Sequence, residues 1–272
     1  MNNSLDRRTG TILTTAVDVT SHESTSRYIL SLVQREEPAF VCFATAHQLV
    51  VATRREDIRK AYETAALVNP DGMPLAWCLR VLGFHEAQCV SGPMQTPVLL
   101  RIAAAQGLRV GFYGGTQQTL QKLEAALASQ YPDLEIAYLY SPPFRELTED
   151  ERSAVHASIN AANVQLLFVG LGSVKQELWM LRNAPDLRCV CLGVGAVFEF
   201  LSGEKKLPSA TMQGLGLAWL ARLCQEPRRL ARRNLYSPVF AAMFFTQVAL
   251  SALRHGAALF SRGSLDVGRD AK

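Results

Sequence analysis

The chain has 272 residues, 49% of them hydrophobic and 19% charged. That suits one large α/β domain with an appendage, or two small domains, and it excludes intrinsic disorder for most of the length. The formal net charge of +4 is unevenly spread: residues 201–272 hold 11 Lys/Arg against 4 Asp/Glu, whereas the first 200 hold 17 against 20. A near-neutral body with a basic tail calls for an anionic partner at the tail, whether phosphate, nucleic acid or a membrane surface.

The opening MNNSLDRRTG is polar and lacks the apolar core of a signal peptide, so a cytosolic-side protein is expected. From there short β-rich apolar runs alternate with amphipathic stretches of helical length, the pattern of a parallel sheet wrapped by helices. Strands are expected at Ile12–Val17, Ala39–Ala44, Leu67–Asn69, Arg109–Tyr113, Glu135–Tyr140, Gln165–Val169 and Arg188–Gly193. The expected helices include Ser24–Gln34, Glu56–Ala66, Pro74–Leu82, Thr116–Gln130, Thr148–Ala161, Val174–Arg182 and Val197–Leu201. Several strands end in small or polar residues just where a helix begins: Thr45, Asp71, Gly114-Gly115, Gly170-Leu171-Gly172 and Gly195. Ligands of open α/β sheets bind outside the carboxyl ends of the strands, so the chemistry is expected there. Six scattered cysteines in apolar surroundings, with no CxxC among them, read as core thiols in a reducing compartment.

After Gly203 the pattern changes. Residues 1–200 are expected to form the main α/β domain and 201–272 a basic helical appendage. Leu215–Gln225 reads as one helix, and Pro227 suits the first turn of a second. That second helix carries Arg229, Arg232 and Arg233 at i, i+3 and i+4, on one face. Ser237–Leu253 then runs 17 residues without a charge, holding Phe240, Phe244 and Phe245 but also Thr246, Gln247 and Ser251. A spanning helix needs about 20 mostly apolar residues; an in-plane or partner-docking helix fits this stretch better. Residues from Ser261 onward read as a disordered end.

Four constellations could carry chemistry. Gly111-Phe-Tyr-Gly114-Gly115-Thr116 follows a strand and opens a helix, with Thr116 as N-cap, so its amides could meet a phosphate or simply form a tight turn. Glu135 lies 20 residues past Gly115 and mimics the spacing of a dinucleotide fingerprint, although G-x-G-x-x-G is absent. Gly170-Leu-Gly172-Ser173-Val-Lys-Gln176-Glu177 is a second such turn, with Ser173 as its expected cap; two of them in one sheet suggest a two-part ligand. Asn69-Pro-Asp71-Gly72 sets a carboxylate just before a helix, where it could serve as a cap or as a general base. Arg222, Arg229, Arg232 and Arg233 offer guanidinium forks suited to diphosphate or lipid headgroup oxygens. Nucleic acid is the weaker fit, because an uncharged Phe-containing stretch follows directly. No pair among the five histidines has metal-ligand spacing, and Glu149-Asp150-Glu151 after Thr148 reads as the acidic first turn of a capped helix.

Taken in order, these blocks resemble the WecG/TagA/CpsF glycosyltransferase family. The resemblance runs from about Val17 to Phe240. It is carried by Asn69-Pro-Asp71-Gly72, Gly111-Phe-Tyr-Gly114-Gly115 and Gly170-Leu-Gly172-Ser173-Val-Lys-Gln176-Glu177. Gly193-Val-Gly195-Ala-Val-Phe198-Glu199-Phe200-Leu-Ser-Gly203 and Gly216-Leu-Ala-Trp219-Leu-Ala-Arg222-Leu-Cys-Gln-Glu226-Pro227-Arg228-Arg229-Leu complete it.

The resemblance implies a Rossmann-like, mainly parallel sheet flanked by helices, with a C-terminal appendage that touches the membrane. It implies an inverting, metal-independent transfer, without cofactor, from a UDP-sugar to a polyprenyl-diphosphate-linked saccharide in exopolysaccharide, capsule or wall polymer synthesis. Asp71 matches the family's proposed base. Thr45, Gln176 and Glu199 (usually Asp in the family) match donor-site positions, and His47 or Ala46 stands where Asn is common. Gly114, Gly115, Gly170, Gly172 and Gly195 would bring turn amides to the donor. Arg222, Arg229 and Arg232 match appendage arginines that hold the diphosphate. The implied location is peripheral, on the inner face of the cell membrane, and a homo-oligomer is left open.

This chain departs from the pattern at Cys89-Val-Ser-Gly92-Pro-Met94, where the family commonly has Arg-Val-x-Gly-x-Asp, at Leu207-Pro208-Ser209 in place of Arg-Ala-Pro, and at Ala218 within Gly-Leu-Glu-Trp. The first departure bears on which sugar is read. Two other readings stand beside the transferase: a nicotinamide-dependent oxidoreductase using Gly111–Thr116 and Glu135, and a non-catalytic scaffold of a polysaccharide assembly complex.

Overall fold

The computed structural model describes residues 7–207 and 236–263. Its centre is a six-stranded sheet, all parallel, in the order β4-β3-β8-β7-β5-β6. These strands are β3 (Ala39–Ala44), β4 (Leu67–Pro70), β5 (Arg109–Gly114), β6 (Glu135–Tyr140), β7 (Leu166–Gly170) and β8 (Val190–Gly193). The interior strands are near-continuous apolar runs because helices cover both faces. β6, at the edge, is half-exposed. This is the expected α/β architecture, with the strand ends where the sequence places them.

One core lies on each face. The first gathers α2 (Ala46–Ala52), α3 (Glu56–Thr64), α4 (Met73–Val81), α7 (Glu149–Ala161) and α8 (Lys175–Asn183) through Leu49, Ile58, Leu79, Ile159 and Met180. The second gathers α1 (His22–Gln34), α5 (Gly92–Gln106), α6 (Gln117–Gln130) and α9 (Val197–Leu201) through Ile29, Leu99, Leu123 and Phe198. Thr116 caps α6 as expected, its hydroxyl accepting from the Thr119 N–H at 3.1 Å. Thr148 caps α7, and the side chain of Glu151 returns to the Thr148 N–H at 2.9 Å.

Two expectations are corrected. Ile12–Val17 is not one strand: Leu13 adopts φ 57 and splits it into an antiparallel hairpin, β1 (Thr9–Ile12) with β2 (Thr15–Asp18). Buried Asp18 holds this hairpin to the sheet edge, accepting from the Val68 N–H at 2.7 Å while Arg7 neutralises it with a two-pronged contact at 2.8 and 2.9 Å. Ser173 does not cap α8. The cap position is Val174, at φ 72 with no side-chain cap, a strained conformation for a β-branched residue. Two helices escape the sequence patterns, α2 and α5. The first is a short Leu-Val-Val run that reads as strand, and the second begins Gly-Pro and carries Pro97 inside it.

The last described element, α10 (Tyr236–Gly263), lies against the body. Phe240 and Phe244 are buried in the first core, and Gln247 clasps the β1–β2 turn: its Oε1 accepts from the Leu13 N–H at 2.8 Å and its Nε2 donates to the Thr11 carbonyl at 2.8 Å. Val239, Phe245, Leu250 and Leu253 remain exposed. By length and composition alone, Tyr236–Leu253 is apolar enough to cross a membrane. Cys42, Cys78, Cys189 and Cys191 are buried free thiols, and Cys89 is half-buried and free. Residues 261–263, expected as the start of a disordered end, belong instead to α10, which runs to Gly263; the two expected appendage helices and residues 264–272 lie outside the described residues.

Candidate active site

Strands β3 and β8 are neighbours, yet the helices that follow them, α2 and α9, pack on opposite faces of the sheet. Divergence at adjacent carboxyl ends opens a crevice, the usual ligand position in open α/β sheets. Thr45 follows β3 and Gly195 follows β8, so both stand at the carboxyl ends that flank this divergence. The turn of Gly170 and Gly172 comes from β7 beside it, and that of Gly114 and Gly115 from β5 beyond. At Gly114 only glycine serves: φ is 124°, and a Cβ would stand 2.6 Å from the Gly170 carbonyl oxygen.

Asp71 is tied to the same edge. Its N–H donates to the Ala44 carbonyl at 2.8 Å, continuing the β3–β4 ladder by one residue and putting the carboxylate one strand from Thr45. The segment after α4 returns alongside, with the Val90 N–H donating to the Pro70 carbonyl at 3.0 Å. Cys89 then accepts from the Gly72 N–H at 3.2 Å. Burial, reinforced by the charge of Asp71, pushes the Cys89 thiol up to about 12, so it is a neutral neighbour of the carboxylate and not a nucleophile.

The Thr45 hydroxyl donates to Gln48 Oε1 at 2.7 Å, and the Thr45 N–H meets the same oxygen at 2.9 Å. Gln176 is buried. Its Nε2 donates to the Gly193 carbonyl at 2.8 Å and its Oε1 accepts from the Gly195 N–H at 2.9 Å, so it braces the β8 turn from the β7 side. Glu199 pairs with Lys205. His47 lies edge-on against Tyr236, ring centroids 4.6 Å apart, where the start of α10 packs on α2. Arg222, Arg229 and Arg232 lie outside the described residues. Glu135 forms an ion pair with Arg109 at 2.9 Å, at the amino ends of β5 and β6. That is the opposite end of the sheet from the crevice, so the residue supporting a dinucleotide reading is not at the site. Among the described residues no three His, Cys, Asp or Glu side chains converge.

A family model, Glycosyl transferase WecG/TagA/CpsF family, matches residues 10–254 of the chain. The chain belongs to this glycosyltransferase family. Its members act in cell-surface polysaccharide synthesis, and a glycosyltransferase needs a sugar donor and an acceptor.

Sequence reasoning missed a buried carboxyl behind these turns. Glu177 is fully buried, with Oε1 accepting from Gln48 Nε2 at 2.7 Å and from Gln176 Nε2 at 3.2 Å. Burial pushes its carboxyl up to about 7, against the lowering effect of the hydrogen bonds it accepts. A signal for it was present: Glu177 shares an i, i+3, i+7 stripe with the buried Met180 and Ala184, an apolar face on which a solvated glutamate has no place.

Proposed function

We propose that this family member is an inverting, metal-independent transferase. It would move a sugar from a UDP-sugar to a polyprenyl-diphosphate-linked saccharide in exopolysaccharide, capsule or wall polymer synthesis. The observation that carries the reading is Asp71: a carboxylate held at the carboxyl edge of β4, one strand from the crevice, in a chain of a glycosyltransferase family.

The acceptor hydroxyl oxygen attacks the anomeric carbon from the face opposite the nucleotide. Its proton passes to the Asp71 carboxylate as the new C–O bond forms, the bond to UDP breaks, and UDP leaves with the electron pair. One displacement inverts the centre. Charge growing on the departing diphosphate is the main electrostatic demand of the step. Arg222, Arg229 and Arg232 are the guanidinium groups assigned to it, with amides from the Gly114-Gly115, Gly170–Gly172 and Gly195 turns. The acceptor lipid implies work at the inner face of the cell membrane. Support for that comes from the exposed apolar face of α10 and from the arginines that precede it.

The test is donor binding followed by turnover. UDP at about 100 times its dissociation constant should stabilise the protein by roughly 2.7 kcal/mol, raising Tm by several degrees, whereas NAD should not. Asp71→Asn should keep that shift and lose about 10²–10⁴ in transfer rate. Full activity in Asp71→Asn would remove the base assignment, and a shift with NAD alone would overturn the transferase.

A further inference from the structure

The transfer step leaves the Glu177 carboxyl without a task, yet it is the point where three crevice turns meet. Its Oε1 receives the NH2 groups of Gln48 and Gln176. Each glutamine then spends its own oxygen on backbone at the crevice: Gln48 on the Thr45 N–H at 2.9 Å, Gln176 on the Gly195 N–H at 2.9 Å. Neither amide can be reversed, because reversal would set NH2 against N–H. Both NH2 groups therefore point inward to Glu177 Oε1, and that of Gln176 also donates to the Gly193 carbonyl at 2.8 Å. The chain of contacts joins the β3–α2, β7–α8 and β8–α9 turns through buried atoms.

The carboxyl also feels the backbone N–H groups of Val174 and of Glu177 itself at the head of α8, and the hydroxyl of Tyr62 from α3 has no hydrogen-bond partner among the described residues. Tyr62 and Cys42 lie within electrostatic reach of Glu177. Packing alone would be better served by an apolar side chain of this size.

We propose that Glu177 is a positioning residue of the donor site: acting through Gln48 and Gln176, its Oε1 holds Thr45 and the Gly195 turn in the arrangement that receives the donor's nucleoside diphosphate. This rests on the reading of the crevice as the donor site. Glu177 touches no reacting atom; its effect is on donor affinity, carried through two glutamines.

The experiment uses the full chain with UDP as probe. Glu177→Leu removes the acceptor at similar volume, and Glu177→Gln restores an oxygen at Oε1. UDP affinity is measured by calorimetry, and amide hydrogen exchange is followed in peptides covering 44–50, 193–197 and, as a core reference, 166–169. Glu177→Leu should bind UDP about tenfold more weakly, the scale of one buried hydrogen bond lost. It should also speed exchange at 44–50 and 193–197 while 166–169 stays protected. Glu177→Gln should recover both properties.

Wild-type affinity and wild-type exchange in Glu177→Leu would overturn the proposal. So would failure of Glu177→Gln to recover either. If Glu177→Leu does not fold, Gln48→Met cuts only the Thr45 arm: faster exchange at 44–50 alone supports the proposal, and unchanged exchange overturns it. If the wild type binds no UDP, the nucleotide reading of the crevice fails, and the exchange arm alone then decides whether Glu177 holds the two turns.

Discussion

Glu177 makes the stability of the protein depend on pH in a defined window. Its folded pKa of about 7 lies above the value near 4.3 of an unfolded glutamate. Between those values the folded state holds a proton that the unfolded state has released. Stability therefore falls as pH rises from about 4.5 to about 7 and is level in this respect above that. The shift corresponds to about 3 kcal/mol across the window. Thermal melts in steps from about pH 4.5 to about pH 7.5 should show the decline in the wild type and lack it in Glu177→Gln. Identical slopes in the two proteins would mean that another group carries it. Asp71 and Cys89 illustrate the opposite economy: the carboxylate proposed as the base is left half-exposed beside a thiol that burial keeps neutral.

At the scale of elements, α10 is the informative case. An uncharged stretch with three phenylalanines suggested a surface or partner helix, and its partner turns out to be the protein itself. Phe240 and Phe244 face the first core and Gln247 grips the hairpin turn, whereas Phe245 and Leu253 face outward. A helix held by so narrow a stripe depends on each anchor. Phe244→Ala should cost about 3 kcal/mol of docking, seen as faster protease cleavage within α10 while the melting of the body is unchanged. Cleavage at the wild-type rate would show that Phe244 is no anchor. Helices α2 and α5 show the reverse limit of sequence reading. Their Leu-Val-Val and Gly-Pro stretches carry local preferences against a helix, and burial of Leu49, Leu99 and Leu100 overrides them.

For the whole molecule, the appendage and the body divide the labour that the transfer reading assigns. The body presents Asp71, Thr45 and the glycine turns, and residues 201–272 carry the arginines. A chain ending at Leu207 should therefore keep a folded body and lose transfer. Cooperative melting checks the first part and a turnover assay the second. An unfolded body would contradict the division at residue 200, and full transfer would take the arginines out of the diphosphate site. Contacts at the boundary bear on where to cut: Glu204 reaches back to Lys122 and Thr119 on α6, and a cut after residue 200 would sever them.

The sequence by itself determined the alternation of strands and helices, the parallel sheet, the caps at Thr116 and Thr148, the small residues at strand ends and, through five ordered blocks, the family. These are properties of neighbouring residues: period, turn chemistry and motif order are written within about a dozen positions of one another. The tertiary structure alone decided that Leu13 breaks the first strand, that Val174 and not Ser173 heads α8, and that Glu135 sits at the wrong end of the sheet for a dinucleotide. It alone brought Gln48 to Glu177 across 129 positions. The physical reason is the same in each case. A buried polar group takes whichever partner the packing brings within about 3 Å, and that choice is made between distant segments.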